Sequence, residues 1–239
     1  RSRQLSGGYK TFRRHVITDI STLAPAFNYI VICGLTGTAK TDLIEAIRSE
    51  GGQTLNLEAL ANHRGSLLGY DPHSAQPSQK KFETQIWHQL KQFDVTQPVF
   101  IESESKKIGN LRLPEALIDN VRQGVCINIR VNLVTRTKYL KETYEHLIKN
   151  PSSLTNQLEK LRSRHGNRII DYWLDLISSN KWDDLIQDLL EIHYDPSYTK
   201  SMNTNFKNMS QAKCYSLDAI LPDTVLSLAN KILSDCSIN

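Results

Sequence analysis

The chain has 239 residues, 39% of them hydrophobic, and a formal net charge of +4. That is enough apolar residue to bury a core, in one large α/β domain or a domain with a helical appendage. No apolar run approaches the roughly 18–20 residues that cross a bilayer, so no membrane attachment is expected. The four cysteines (Cys33, Cys126, Cys214, Cys236) stand far apart without CxxC or Cys/His spacing; this argues against zinc and against a disulfide framework.

Mean hydropathy of −0.40 and a pI near 8.8 describe a soluble, mildly basic protein, and a reducing, cytoplasmic location is expected. The first residues, Arg1 to Gly8, lack the apolar core of a signal peptide and an initiator Met. The expectation is a piece of something longer, or a trimmed chain.

In chain order, Gly7-Gly8-Tyr9-Lys10-Thr11-Phe12-Arg13 reads as a linker-like lead-in with aromatic and basic groups interleaved. Tyr29 to Cys33 reads as a strand. The loop Gly34-Leu35-Thr36-Gly37-Thr38-Ala39-Lys40-Thr41 follows, and Leu43, Ile44 and Ile47 then share one face of a helix over 40–50. Gly51-Gly52 stops that helix and Gln53 to Leu57 reads as a second strand. The stretch from Leu60 to Gln76 carries Gly65, Gly69, Pro72 and His73 without apolar periodicity; an ordered loop of that length tends to be functional. Ser78 is the expected N-cap of a helix over 78–93 with the stripe Phe82, Ile86, Leu90, Phe93. Val99 to Ile101 and Val125 to Val131 are the third and fourth strands. Short apolar strands separated by helices imply a parallel sheet covered on both faces, with ligands at its carboxyl edge.

From about Tyr139 the pattern is almost wholly helical. Stripes at Ile169, Ile170, Trp173, Leu174, Ile177 and at Trp182, Leu185, Ile186, Leu189, Leu190 read as core. The residue before a proline is pushed out of the helical region, so His193-Tyr194-Asp195-Pro196 is expected to end the helical stretch. A strand at Cys214 to Leu217 and a helix from Pro222 to Ser234 would return to the sheet. The expected organisation is a P-loop α/β core over 1–138, with the basic lead-in, and a mostly helical part over 139–239.

A small-residue loop between a strand and a helix, ending in Lys-Thr, is a phosphate cradle. Its amides and the positive end of the helix converge on phosphate oxygens. Gly34, Gly37, Thr38, Ala39, Lys40 and Thr41 are therefore the expected phosphate ligands. Lys40 adds an ammonium, and the Thr41 hydroxyl is placed for Mg²⁺. The usual pattern has Gly where Ala39 stands. If that position needs a positive φ, Ala costs roughly 1 kcal/mol; if it is near-helical, Ala is harmless. Glu102 and Glu104 end an apolar strand, as a Mg²⁺-holding acidic position requires. Basic groups cluster at Lys10, Arg13, Arg14 and at Arg130, Arg136, Lys138, Lys141, as polyanion binding needs.

Several unusual motifs stand in one order: the P-loop, "LEALANHRGS" (Leu57 to Ser66), "QPSQ…FE" (Gln76 to Glu83), "ESES..IG...LP" (Glu102 to Pro114), "GGYK.FR" (Gly7 to Arg13) and "YDP.Y" (Tyr194 to Tyr198). Together they resemble the P-loop domain of bacterial tRNA 2-selenouridine synthase. Asn56 stands where that family has Asp, and Ser103 where Asp is common. The resemblance implies a transferase acting on wobble 2-thiouridine of tRNA. It also implies a two-step exchange in which geranyl diphosphate alkylates the sulfur and selenophosphate then replaces the geranylthio group. It implies tRNA, a prenyl diphosphate and a rhodanese domain, in cis or in trans, as partners. Catalytic roles fall to Lys40, Arg64 and Glu104, Mg²⁺ to Thr41 and Glu102, and tRNA to Lys10, Arg13, Arg14 and Arg136. The alternatives are a small-molecule P-loop kinase and a non-catalytic tRNA-binding module.

Overall fold

The computed structural model describes residues 6–65 and 75–236. Ser66, Gly69, Pro72 and His73 of the long loop lie outside the described residues, as do residues 1–5 ahead of the lead-in. The elements run α1 (Gly8–Leu23), β1 (Tyr29–Gly34), α2 (Lys40–Ser49), β2 (Gln53–Leu55), α3 (Leu57–Ala61), α4 (Gln79–Leu90), β3 (Val99–Glu102) and the short hairpin β4 (Lys107–Ile108) and β5 (Leu111–Arg112). Then come α5 (Glu115–Val121), β6 (Val125–Val131), α6 (Leu133–Thr143), α7 (Glu145–Lys149), α8 (Pro151–Glu159), α9 (Arg162–His165), α10 (Asn167–Ser178) and α11 (Trp182–Asp188). The chain closes with α12 (Asp195–Asn205), β7 (Lys213–Leu217) and α13 (Pro222–Cys236).

The sheet has five parallel strands in the order β2-β3-β1-β6-β7. Because strand side chains alternate between faces, β1 feeds two cores at once. Val31 and Cys33 join Val16, Ile20, Phe82, Ile86, Leu117 and Ile118 beneath α1, α4 and α5. Ile30 and Ile32 join Leu43, Ile44, Ile47, Val225, Leu228 and Ile232 beneath α2 and α13. A parallel sheet covered on both faces accounts for strands that read as unbroken apolar runs.

The lead-in is not a linker. It is the 16-residue helix α1, whose Val16 and Ile20 are buried against α4 and α5. Phe12, Val16, Ile20 and Leu23 repeat at helical spacing, with Gly7 as the N-cap and Gly8 as the first helical residue. β2 is two residues shorter than expected because the side chain of Asn56 caps α3, accepting a hydrogen bond from the Ala59 amide at 2.8 Å. Ser78 caps α4 through the Lys81 amide, at 3.3 Å. The β4–β5 hairpin and α5 fill the stretch between β3 and β6 that the sequence patterns left without elements.

The helices α6 to α12 surround a third core centred on the fully buried Trp173, whose indole donates to Asp188 at 2.8 Å. Pro196 does not end the helical stretch there. Leu189–Tyr194 forms a π-helical turn, and Asp195–Asn205 continues as α12 with Pro196 in its first turn. The wider i→i+5 spacing relaxes the backbone bonding ahead of the proline, and a first-turn position needs no amide donor. β7 pairs with β6, and α13 lies against α2.

Candidate functional site

The loop between β1 and α2 leaves the carboxyl edge of the sheet beside the end of β3, where Ile32 is level with Glu102. Its glycines are there for space. A Cβ on Gly34 would sit 2.7 Å from Thr38 Oγ1 and 2.9 Å from the Ile129 carbonyl oxygen, and one on Gly37 would meet Leu140 Cδ1 at 2.9 Å. Ala39 occupies the left-handed region, φ 56° and ψ 35°, so the residue that replaces glycine pays the strain that its type implies.

Lys40 folds back over the loop and donates to the carbonyls of Gly34 at 2.9 Å and Leu35 at 3.0 Å. Thr38 closes the same turn by donating to the Leu35 carbonyl at 2.9 Å. The first amides of α2 have no intrahelical acceptor and point into the loop with the positive end of the helix dipole.

Three carboxylates face Lys40. Glu58, on α3, accepts from the Thr41 hydroxyl at 2.7 Å. Glu102 is 1% exposed; one oxygen accepts from the Leu57 amide at 3.1 Å, while Oε1 is buried without a partner. Burial pushes its carboxyl well above the ordinary carboxylate range, and Glu58 adds to the effect. Burial also pushes Glu104 up, to about 7, with Glu58 raising it further and Lys40 opposing. The same enclosure lowers Lys40, against the pull of Glu58, Glu104 and Glu102. Cys33, one residue before the loop, is held as a thiol by its hydrogen bond with Cys126 and by burial.

Aromatic rings wall the cleft. Tyr198, on α12, lies with its ring centroid 5.6 Å from Lys40 Nζ. The Arg64 guanidinium lies 5.2 Å from the Tyr144 ring and donates to the Thr143 carbonyl at 3.2 Å. Tyr139 donates to Asp42 at 2.9 Å. The cleft encloses about 390 Å³. Through Thr36, Leu140 and Tyr144 it shares a wall with a second, apolar cavity of about 60 Å³.

The structure thus gathers Gly34, Gly37, Thr38, Ala39, Lys40, Thr41, Arg64, Glu102 and Glu104 at one edge of the sheet. The basic residues part company. Lys10 and Arg14 are exposed on α1, whereas Arg13 is buried and bonded to Glu83, the Lys80 carbonyl and Thr84 on α4. Arg136 is also buried. It bonds to Asp195 through both terminal nitrogens, at 2.9 and 2.8 Å, and to the Thr36 carbonyl at 3.1 Å. Arg130 and Lys138 stay exposed.

Sequence reasoning gave no role to Glu58, Tyr139, Tyr144 or Asp195. Glu58 follows a strand and a capping Asn56, which is a readable signal for a residue at the carboxyl edge. Tyr144, Asp195 and Tyr198 come from the helical part, where periodicity marks core and cannot say which end of a helix meets the loop.

The family model described as the tRNA 2-selenouridine synthase AAA domain matches residues 27–216. A tRNA 2-selenouridine synthase of Alcanivorax borkumensis is 37% identical over 142 residues, covering 59% of this chain and 38% of that protein. One from Sulfurovum sp. is 25% identical over 229 residues, covering 84% of this chain and 62% of that protein. The matched region is thus well under the full length of these relatives. Among solved structures, a tRNA isopentenylpyrophosphate transferase from Bacillus halodurans aligns with a TM-score of 0.43 and 9% identity, over 88% of this chain and 97% of that one.

Proposed function

The chain belongs to the tRNA 2-selenouridine synthase AAA-domain family, and we propose that it holds geranyl diphosphate for transfer to the sulfur of 2-thiouridine in tRNA. The observation that supports this reading is the adjacency of two chemistries: the cleft at the anion cradle shares the wall of Thr36, Leu140 and Tyr144 with an apolar cavity. A diphosphate head with a hydrocarbon tail matches that pairing of chemistries.

In the reaction, the sulfur forms a bond to C1 of the donor as the C1–O bond breaks, and diphosphate leaves with the electron pair. Loss of the N3 proton discharges the alkylated base. The loop amides and Lys40 receive the charge that develops on the leaving group, and such fixed donors cost no reorganisation when the charge appears. To reach the diphosphate, Lys40 exchanges the Gly34 and Leu35 carbonyls for phosphate oxygens. The soft sulfur nucleophile needs orientation more than activation, which the enclosed cleft supplies. In a second step the selenium of selenophosphate would bond to C2 of the base as geranylthiol leaves, and water would then take the phosphoryl group and release phosphate, with a rhodanese domain as partner for that exchange.

Mg²⁺ suits this donor set. The Thr41 hydroxyl with Glu58, and the unpartnered Oε1 of Glu102, are hard oxygens beside the cradle. Among the described residues no three His, Cys, Asp or Glu side chains converge on a closed cage. An open site completed by phosphates and water is the form Mg²⁺ prefers. When bound, the ion would add positive charge against the departing diphosphate.

Calorimetric titration of geranyl diphosphate, inorganic diphosphate and ATP, each with Mg²⁺, tests this reading. Geranyl diphosphate should bind most tightly, and Lys40→Ala should weaken it by at least about tenfold, roughly the 1.4 kcal/mol of one charge-assisted contact. Tight binding of ATP alone would contradict the reading and favour a kinase.

A further inference from the structure

On the tRNA part of the reading above, we propose that the β4–β5 hairpin, with the first turns of α1 and α4 beside it, grips the phosphate backbone of the tRNA next to the base that enters the cleft. The hairpin sets Lys107 directly opposite Arg112. In the adjoining pair the Leu113 amide donates to the Lys106 carbonyl at 3.0 Å. Lys107 and Arg112 therefore occupy the non-hydrogen-bonded position, where facing side chains come closest. Like charges directly opposite one another destabilise a strand pair. Both residues are exposed, and among the described residues neither side chain has a hydrogen bond or an ion pair.

An isolated two-stranded ribbon is marginal in water, yet this one is fixed from outside. Gln79 pairs with Arg112 as a neighbouring strand would: its Nε2 donates to the Arg112 carbonyl at 2.7 Å, and its Oε1 accepts from the Arg112 amide at 2.9 Å. Gln76 holds the turn in the same way, accepting from the Asn110 amide at 2.7 Å and donating to the Ile108 carbonyl at 3.1 Å. The Ser105 hydroxyl bonds to both the carbonyl and the amide of Lys107. Side chains that carry no charge thus hold two repelling cations side by side. An anion placed between them removes the repulsion and gains two charge-assisted contacts.

The positive charge of the chain is concentrated around this pair. α1, α4 and residues 105–112 carry eight Lys and Arg against two carboxylates, Asp19 and Glu83, a charge of +6 in a chain whose total is +4. The three elements adjoin: Lys80 Nζ lies 5.6 Å from the Tyr9 ring, Arg13 donates to the Lys80 carbonyl at 3.1 Å, and Gln79 bonds to Arg112. Arg112 lines an open groove of about 700 Å³ with Ile17 and Gln79. The carboxylates on that groove, Glu83 and Glu115, are already paired with Arg13 and Lys106. Glu104, in the cleft with Lys40, stands three residues ahead of Lys107, so at most about 10 Å of chain separates them. The row of cations runs to the lip of the cleft, which favours the substrate's own backbone as its occupant over an acidic protein.

The test is tRNA binding across a salt series, with inorganic diphosphate titrated alongside to report on the cradle. Lys107→Gln with Arg112→Gln should weaken tRNA binding at least about tenfold at low salt, and flatten the slope of log K against log salt by about 1.5, roughly 0.7 to 0.9 for each lost phosphate contact. Inorganic diphosphate should bind as before. Lys107→Glu separates binding from folding: it sets opposite charges across the pair, so it should raise the melting temperature while weakening tRNA. Unchanged tRNA affinity and salt slope in both variants would overturn the proposal and leave these charges to an acidic protein partner. Failure of the wild-type protein to bind tRNA, with diphosphate still bound, would overturn the tRNA part of the parent reading as well.

Discussion

Arg136 and Asp195 form a two-pronged pair, at 2.9 and 2.8 Å, that joins the helix after β6 to the first turn of α12. The same guanidinium holds the Thr36 carbonyl of the phosphate loop at 3.1 Å. Three residues beyond Asp195, Tyr198 faces Lys40. One buried cation thus ties the loop to the helical part and fixes the aromatic wall. Arg136→Met should cost about 3 kcal/mol, because it strands Asp195 and the Thr36 carbonyl. Chemical denaturation measures this, and a loss below about 1 kcal/mol would show that the pair is not structural.

Ala39 sits at φ 56°. Ala39→Gly should therefore stabilise the protein by up to about 1 kcal/mol, the strain relieved less the added unfolded-state entropy. Diphosphate binding should strengthen as the loop relaxes. A destabilised glycine variant would mean that the loop carries no strain at this position.

The two faces of α1 predict different behaviour for adjacent residues. Lys10→Glu with Arg14→Glu should leave stability within about 0.5 kcal/mol. If α1 meets tRNA, the pair should also flatten the slope of log K against log salt by about 2, one unit or slightly less per lost phosphate contact. Arg13→Glu should destabilise the protein instead, since Arg13 is bonded to Glu83. An unchanged salt slope in the double variant would move the tRNA surface to Arg130 and Lys138.

His193 is 7% exposed, and its Nδ1 lies 2.9 Å from Nε2 of His165. Burial lowers its pKa to about 4, helped by Arg164 and His165. The folded state thus prefers neutral His193, so its contribution is complete above the unfolded value of about 6.5. It is lost as the pH falls from 6.5 toward 4, by about 3 kcal/mol at most. Melting temperature should fall over that window, and His193→Gln should flatten the fall. A variant with the wild-type slope would assign the acid sensitivity elsewhere.

The strand–loop–helix unit and the sheet were legible because their signals are local: an apolar run, small residues, then Lys-Thr. Boundaries moved where a side chain intervened, as Asn56 did at the end of β2. The helix α1 was hidden by its glycines and charges, although Phe12, Val16 and Ile20 carried its period. The fate of Arg13 and Arg136 was not legible at all. Burial of a cation depends on a partner distant in sequence, Glu83 in one case and Asp195 in the other. The tyrosine wall was unreadable for the same reason, because Tyr144 and Tyr198 reach the loop only through tertiary packing.

The measurement that bears most directly on the proposed activity is mass spectrometry of nucleosides from thiolated tRNA incubated with this protein and geranyl diphosphate. S-geranyl-2-thiouridine is expected with the wild-type chain, and a loss of at least about tenfold with Lys40→Ala. Unmodified 2-thiouridine, from protein that binds both the tRNA and the donor, would contradict it.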